Sequence, residues 1–183
     1  YDRLILATGG RPRRLDVEGS EHILYLRNYE DAVAIRQRLT AGASLVCVGA
    51  GVICLELAAV ATQMGVQVHV VEMGGAVMAR MLPGPERHYF QMLHQDRGVS
   101  FHFGATLERL VPAEGHVRVQ LADRALAADI VVAGIGMIPN AELASDAGLD
   151  MGRGVRVDEH GRTSDPRIFA LGDVAEFYHP LAG

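Results

Sequence analysis

Two glycines separated by one residue follow a short apolar run and precede a second one, which is the pattern of a dinucleotide-binding turn. Gly49 and Gly51 come directly after a predicted buried strand, Ser44–Val48, and open a predicted helix over 52–64. The first glycine allows a tight turn, and the second lets the backbone approach a pyrophosphate that accepts from the amides of the helix start. Cys54 takes the third position of the pattern with a side chain that is still small. These residues predict a dinucleotide site.

A carboxylate ends the next predicted strand, which covers 66–71. Glu72 lies about 20 residues beyond the second glycine, where an acidic side chain accepts the ribose hydroxyls of the adenosine half. Its charge repels a 2′-phosphate, and Met73-Gly74-Gly75 follows instead of an arginine cluster, so NAD is favoured over NADP. Two alternatives remain open: Glu72 only caps an exposed strand end, or the unit is a methyltransferase-type site, although Val48 and Ile53 depart from that pattern.

The elements that must position these residues alternate between helical and extended patterns, which predicts an α/β fold. Helical patterns, the first and last with Asn28 and Asn140 as expected N-caps, lie at 29–39, 52–64, 85–97 and 141–147. Short apolar or alternating runs lie at 3–7, 44–48, 66–71, 99–103, 106–111, 116–121, 130–133, 155–157 and 168–171. We expect a Rossmann-like parallel sheet with helices on both faces, and an antiparallel β excursion formed by the runs at 106–111 and 116–121.

Composition excludes several classes of function. The 183 residues are 49% hydrophobic, enough for a substantial core. All 17 cations are arginine, so the chain has no lysine for a P-loop or a Schiff base. The net charge of −5 argues against nucleic acid as a partner. No apolar run is typical of a membrane span or a secretory leader, and two cysteines suit a reducing compartment, so we expect a cytoplasmic location.

Histidine, cysteine and methionine suggest no further site. The eight histidines show no metal-ligand spacing, and Cys47 and Cys54 form neither a metal pair nor a redox Cys-x-x-Cys motif. We interpret the central methionines as core or loop residues; they are Met64, Met73, Met78, Met81 and Met92. We therefore predict no bound metal and no catalytic side chain in this chain.

Three further segments, in order, resemble the two-dinucleotide flavoprotein reductases. Ala7-Thr8-Gly9-Gly10-Arg11 resembles the point where their chain leaves the FAD domain, and Gly134-Ile135-Gly136 up to Asn140 resembles the end of their inserted NAD domain. Residues 163–174, with Gly172-Asp173, resemble their second flavin motif. Within that superfamily, Tyr25-Leu26-Arg27 and the residues around Glu56 are most similar to the ferredoxin reductases of bacterial dioxygenases and cytochromes P450.

The resemblance implies a division of the chain and a set of cofactor contacts. Residues 1–22 are expected to be the exit segment of an FAD domain, 23–139 the NAD-binding domain, and 140–183 an incomplete return segment of the FAD domain. Glu56 would lie near the nicotinamide and Arg80 near the adenosine phosphate. The implied NAD(H) contacts are Gly49, Ala50, Gly51, Val52, Ile53, Glu56, Glu72, Arg80, Gly134, Ile135 and Gly136. The implied FAD contacts are Thr8, Gly9, Arg11, Gly172 and Asp173.

The activity implied by the resemblance is hydride transfer from NADH to FAD, followed by electron transfer to a ferredoxin- or rubredoxin-type iron-sulfur protein. The cofactors carry this chemistry, and the protein positions them. Two alternatives stay open: an NADH oxidase or disulfide reductase of the same superfamily, and a non-enzymatic NAD(H)-binding module. Because the first FAD fingerprint is expected before residue 1, we expect the 183-residue chain alone to bind no flavin and to have no reductase activity.

Overall fold

A computed structural model describes residues 2–178, which form two compact units. The first unit combines the two ends of the chain, up to Arg11 and from Met137, and the second spans Pro12–Gly136. This division follows compactness alone. The assignment of 1–22, 23–139 and 140–183 to flavin-binding and nicotinamide-binding domains stays a prediction.

The described residues contain short strands and four α-helices. The helices are α1 (Tyr29–Arg38), α2 (Val52–Gln63), α3 (Gly84–Gln95) and α4 (Glu142–Asp146). The strands are β1 (Leu4–Leu6), β2 (Gly10–Pro12), β3 (Ile23–Leu24), β4 (Ser44–Val48), β5 (Gln67–Glu72), β6 (Ser100–Phe103), β7 (Leu107–Ala113), β8 (His116–Leu121), β9 (Ala125–Ala128), β10 (Ile130–Ala133), β11 (Met137–Pro139), β12 (Val155–Arg156), β13 (Ile168–Ala170) and β14 (Ala175–Glu176).

A five-stranded parallel sheet in the order β3-β10-β4-β5-β6 forms the centre of the second unit. Strand β10 is apolar along its whole length, and β4 from Leu45 onward, because both faces of the sheet are covered there; Leu45, Val46 and Cys47 of β4 have no exposed surface. Crossover helices join parallel strands, as β4, α2 and β5 do here. The predicted α/β class with a parallel sheet is therefore confirmed.

The two faces of this sheet are covered by different kinds of element. On one face, Ile35 of α1 and the inward side of α2 pack against Val68 and Val70 of β5. On the other, Val46 and Val71 pack against the three-stranded antiparallel sheet β7-β8-β9. The structure thus confirms the antiparallel excursion but differs from the expected helices on both faces, since that excursion itself covers the second face.

Two details of the antiparallel sheet differ from the sequence-based expectation. Strand β9 was not predicted, because alanine has little strand propensity and this strand depends on its pairing with β8. Pro112 continues β7 instead of ending it. It can do so because β7 is an edge strand, where a residue without an amide proton costs no ladder hydrogen bond.

The first unit contains three small pairings, β1 with β13, β2 with β11, and β12 with β14. Here the prediction that Asn140 caps α4 is wrong, since the N-cap is Ala141 and makes no side-chain hydrogen bond. The side-chain amide of Asn140 instead donates to the Thr8 carbonyl at 3.0 Å, which removes this side chain from the helix start. The predicted cap of α1 is confirmed, because Asn28 and Asp31 form a capping box.

The two ends of the second unit lie side by side. The amide of Arg13 donates to the carbonyl of Gly136 at 3.0 Å. The chain therefore enters and leaves this unit at one place.

Candidate functional site

The glycine turn lies between β4 and α2, at the carboxyl end of the parallel strand. Gly49 has a φ of 101°, and a Cβ added there would be 2.6 Å from the Gly134 carbonyl oxygen. Gly51 is the N-cap of α2 and makes no side-chain cap hydrogen bond. The cap residue therefore satisfies none of the first amides of this twelve-residue helix through a side chain, and amides at a helix start favour an anion.

Glu72 at the end of β5 is hydrogen-bonded to this turn. Its Oε2 accepts from the Ala50 amide at 2.8 Å, and its Oε1 accepts from the Gly74 amide at 2.7 Å. Each carboxylate oxygen has a further lone pair. The acid is therefore held beside the glycine turn and can still accept ribose hydroxyls.

The segment that follows Glu72 folds back onto the turn. Val77 is fully buried, and the amide of Met78 donates to the Ala50 carbonyl at 2.9 Å. Met78 has a φ of 46°, in the left-handed region that non-glycine residues rarely occupy. Arg80 is exposed in the same segment.

The predicted contacts after β10 adjoin the turn from the other side. The Gly134 amide donates to the Val48 carbonyl at 2.9 Å. A Cβ at Gly134 would lie 2.7 Å from the Cys54 Sγ, so the third position of the fingerprint packs directly against this glycine. Ile135 is half-buried and Gly136 exposed.

The accessible start of α2 carries the remaining predicted NAD(H) residues. Val52 and Ile53 are 38% and 46% exposed, and Glu56 is exposed one turn further along the helix. The structure thus hydrogen-bonds Glu72 to Ala50, the residue between Gly49 and Gly51, while Glu56 and Arg80 are exposed.

The two cysteines beside the turn are free thiols. A hydrogen bond with Cys54, followed by burial and the charge of that neighbour, raises the pKa of Cys47 well above its ordinary value. The Cys54 thiol donates to the Val48 carbonyl at 3.6 Å. Burial and a raised pKa make the Cys47 thiol a poor nucleophile, and Cys54 is also fully buried, so both cysteines serve packing.

In the first unit, the predicted FAD residues Thr8 and Arg11 both contact Asn140. The Thr8 hydroxyl donates to the Asn140 carbonyl at 2.6 Å, and one Arg11 nitrogen donates to Asn140 Oδ1 at 2.7 Å. Another Arg11 nitrogen pairs with Glu142 at 2.7 Å, and hydrogen bonding to Arg11 lowers the pKa of Glu142. Gly9 also contacts Asn140, because the Gly9 carbonyl accepts from the backbone amide of Asn140 at 2.9 Å.

The other predicted FAD residues lie in the 3-10 turn Gly172–Val174, after β13. Gly172 has a φ of 72°, and both Gly172 and Asp173 are exposed. Val174 is buried in the small core of this unit, which anchors the turn.

Two residues with a structural part in these clusters were not found by sequence reasoning. The sequence pattern predicts a helix cap at Asn140, and its spacing from Thr8 gives no local signal because the contact joins distant parts of the chain. For Met78 the pattern predicts only a core or loop residue. Only glycine, asparagine or aspartate would have indicated a left-handed backbone there.

Two further features of residues 2–178 bear on other classes of function. This range contains no group of three or more His, Cys, Asp or Glu residues arranged to hold a metal ion. It also contains no helix long and apolar enough to cross a membrane.

Known proteins are similar to this chain over nearly its whole length. The chain is 41% identical to putidaredoxin reductase of Pseudomonas putida, with 99% of this chain and 45% of that protein aligned. It is 42% identical to rubredoxin-NAD(+) reductase of Pseudomonas putida, with 96% of this chain and 46% of that protein aligned. The chain therefore spans about half the length of these relatives.

A solved structure gives the same result for the fold. The covalent putidaredoxin reductase-putidaredoxin complex matches with a TM-score of 0.92 and 41% identity, over 99% of this chain and 46% of that one. The family model described as pyridine nucleotide-disulphide oxidoreductase matches residues 1–182. The match over nearly the whole chain, together with the glycine turn and the acid beside it, shows that the chain belongs to the pyridine nucleotide-disulphide oxidoreductase family.

Proposed function

We propose that this chain is the NADH-binding part of a flavoprotein reductase. The observation that carries the proposal is the hydrogen bond between Glu72 Oε2 and the Ala50 amide at 2.8 Å, which joins the ribose-binding acid to the glycine turn. The uncapped start of α2 lies next to it. A pyrophosphate at the helix amides and an adenosine ribose at Glu72 fit the two parts of one dinucleotide.

The remaining predicted site residues extend the same proposal. Along the NADH, Val52, Ile53 and Glu56 would face the nicotinamide half, Arg80 the adenosine phosphate, and 134–136 the wall after β10. FAD would contact Thr8, Gly9, Arg11, Gly172 and Asp173. In this pair of cofactors NADH supplies a hydride, which FAD accepts and returns as single electrons. The part of the chain itself is to bind the two cofactors and to orient them.

The electron acceptor in the proposal is a small iron-sulfur protein of the ferredoxin or rubredoxin type. Support comes from the names of the relatives, which are reductases of putidaredoxin and rubredoxin. We propose a cytoplasmic location as well, since Cys47 and Cys54 are free thiols, as a reducing compartment favours.

The nicotinamide part of the proposal is tested by calorimetric titration with NADH and NADPH. We expect NADH to bind at least about tenfold more tightly than NADPH, because the Glu72 carboxylate accepts ribose hydroxyls and repels a 2′-phosphate. Glu72→Ala should narrow this ratio and also weaken NADH binding, because the Ala50 and Gly74 amides lose their acceptor.

Glu176 is the matched control for that substitution. It is a second glutamate that accepts a backbone hydrogen bond, from Gly154 at 2.8 Å, but in the first unit. Glu176→Ala should leave the ratio of NADH to NADPH affinity unchanged. Equal affinities in the unmodified protein, or the same ratio in both variants, would remove Glu72 from the site.

The reductase part is tested in the full-length flavoprotein with NADH and an iron-sulfur acceptor. We expect NADH-dependent reduction of a rubredoxin or a ferredoxin under anaerobic conditions. Rapid NADH oxidation by oxygen with no reduction of either acceptor would instead favour the oxidase alternative.

A further inference from the structure

We propose that Met78 is a positioning residue for the dinucleotide, acting through its backbone and not through its side chain. The inference rests on the proposed NADH site and adds a residue to it. Of the residues from 2 to 178, Met78 is the non-glycine residue with a positive φ, 46°. Such a conformation persists only where the surroundings determine it, and it is concentrated at functional sites.

The surroundings of Met78 do determine its backbone. The preceding residue, Val77, is fully buried. The Met78 amide donates to the Ala50 carbonyl at 2.9 Å, and the Met78 carbonyl accepts from Met81 at 2.9 Å and from Leu82 at 3.1 Å. Both backbone polar groups of Met78 are therefore used, one of them by the glycine turn.

The bond from Met78 orients the peptide between Ala50 and Gly51. The Ala50 carbonyl and the Gly51 amide belong to one planar trans unit and point in opposite directions. Fixing the carbonyl toward Met78 therefore fixes the Gly51 N–H on the opposite side. The Ala50 amide is held by Glu72 at 2.8 Å, so the middle residue of the turn is held at both of its polar groups.

A turn held in this way is ready for a ligand before it arrives. Ala50 is only 2% exposed, which leaves its backbone little room to reorient. Because the ordering of the turn is done by the protein, NADH binding does not have to supply it. Loss of the Met78 bond should therefore appear as weaker NADH binding.

Two substitutions separate the backbone role from a packing role. Met78→Val keeps an apolar side chain, but a β-branched residue is a strong outlier at positive φ. Met78→Asn removes the apolar side chain, but asparagine tolerates the left-handed region. We expect the NADH dissociation constant to rise about tenfold in the valine variant, equivalent to about 1.4 kcal/mol, and to stay within about twofold in the asparagine variant.

A packing role gives the opposite order, with valine tolerated and asparagine harmful. Met81 is the matched control, an exposed methionine of the same segment, and Met81→Val and Met81→Asn should both bind NADH normally. Amide hydrogen exchange of 49–52 without NADH should accelerate in Met78→Val alone. Met78→Gly, which also accepts positive φ, should bind like the asparagine variant and replaces it should that variant not fold.

The outcomes distinguish this inference from the proposed function. If the unmodified protein binds no NADH, the proposed function fails and this inference fails with it. The positioning role alone is overturned if the unmodified protein binds NADH and Met78→Val binds it equally well. It is also overturned if Met78→Val binds NADH more tightly than Met78→Asn does.

Discussion

The Cys54 side chain leaves no room for a side chain at Gly134, across the turn. The third position of the fingerprint usually holds the smallest side chains so that the helix can approach the sheet. Here a thiol fills that space, and the Cys54 Sγ would lie 2.7 Å from a Cβ at Gly134. The glycine after β10 is thus the counterpart of the cysteine in α2.

We expect Gly134→Ala to destabilise the protein by about 1 to 3 kcal/mol, the usual cost of overpacking. Cys54→Ala in the same chain should recover most of this loss, since the next Cys54 atoms are the amide nitrogen at 3.7 Å and Cβ at 3.8 Å. Urea unfolding of both single variants and the double variant measures the coupling.

Gly75 provides the control, because a Cβ there would meet nothing within 4 Å. Gly75→Ala should leave the free energy of unfolding almost unchanged. The contact between the two positions is refuted if Gly134→Ala behaves like Gly75→Ala, or if Cys54→Ala recovers nothing.

At the scale of the elements, a histidine pair joins the last two strands of the parallel sheet. Nδ1 of His69 on β5 lies 3.1 Å from Nε2 of His102 on β6, so one ring donates and the other accepts. Burial lowers the pKa of His69. Burial, followed by the charges of His69 and Arg124, lowers the pKa of His102, and only Asp123 opposes this.

The pair should make the protein less stable in mild acid. Because the folded protein lowers the pKa of both histidines below the ordinary value of about 6.5, the unfolded chain takes up protons first as the pH falls through that value. The free energy of unfolding therefore decreases with falling pH and levels off once the folded pair is also protonated. Urea titrations between pH 7.5 and about pH 5 should show this slope, and His102→Gln should reduce it.

Ser100 is the neighbour of His69 in the β5–β6 register and carries no titrating group. Ser100→Ala should keep the full pH dependence of the unmodified protein. A His102→Gln variant with an undiminished slope would show that the pair does not cause it.

Elements stabilised by their own sequence were predictable, and those formed by distant contacts were not. Strands β4 and β10 have the predicted bounds because apolar runs of that length must be buried. Helix α1 has its predicted cap for a local reason, the spacing of Asn28 and Asp31. The pairing of β2 with β11 joins distant parts of the chain, for which a single sequence has no signal.

The candidate site divides in the same way. The glycine turn and Glu72 could be predicted because a fixed spacing brings a strand end and a helix start together. The contact between Thr8 and Asn140 could not be predicted. In the sequence, Asn140 looks like a helix cap just as Asn28 does, and only Asn28 is one. The backbone of Met78 could not be predicted either, because methionine usually occupies ordinary conformations.

At the scale of the whole chain, the two sets of predicted contacts fall in separate units. The proposed NAD(H) residues lie within Pro12–Gly136, and the proposed FAD residues lie in the other unit. The chain contains one glycine fingerprint followed by an acid, the pair that ends at Glu72. A second nucleotide needs a second set of helix-start amides for its pyrophosphate.

We therefore expect the purified 183-residue chain to bind NADH, to be colourless, and to show no NADH-ferricyanide turnover. Loss of several charge-assisted contacts at about 1.5 to 3 kcal/mol each lowers flavin affinity by many powers of ten. The flavin absorbance of the purified protein and a ferricyanide assay without added flavin measure this. Yellow protein with about one equivalent of flavin would show that the flavin site is complete.

The hydrogen bond between Arg13 and Gly136, at 3.0 Å, holds the two ends of the second unit together. A segment whose ends lie close together can be inserted into a host chain at a single point, because the host needs only a narrow gap between the two joined ends. Such a segment can also be closed on itself by a short linker, or exchanged between relatives, without altering the spacing of the sequences on either side. In evolutionary terms, the segment that carries the glycine turn and Glu72 can then change independently of the sequence on either side of it.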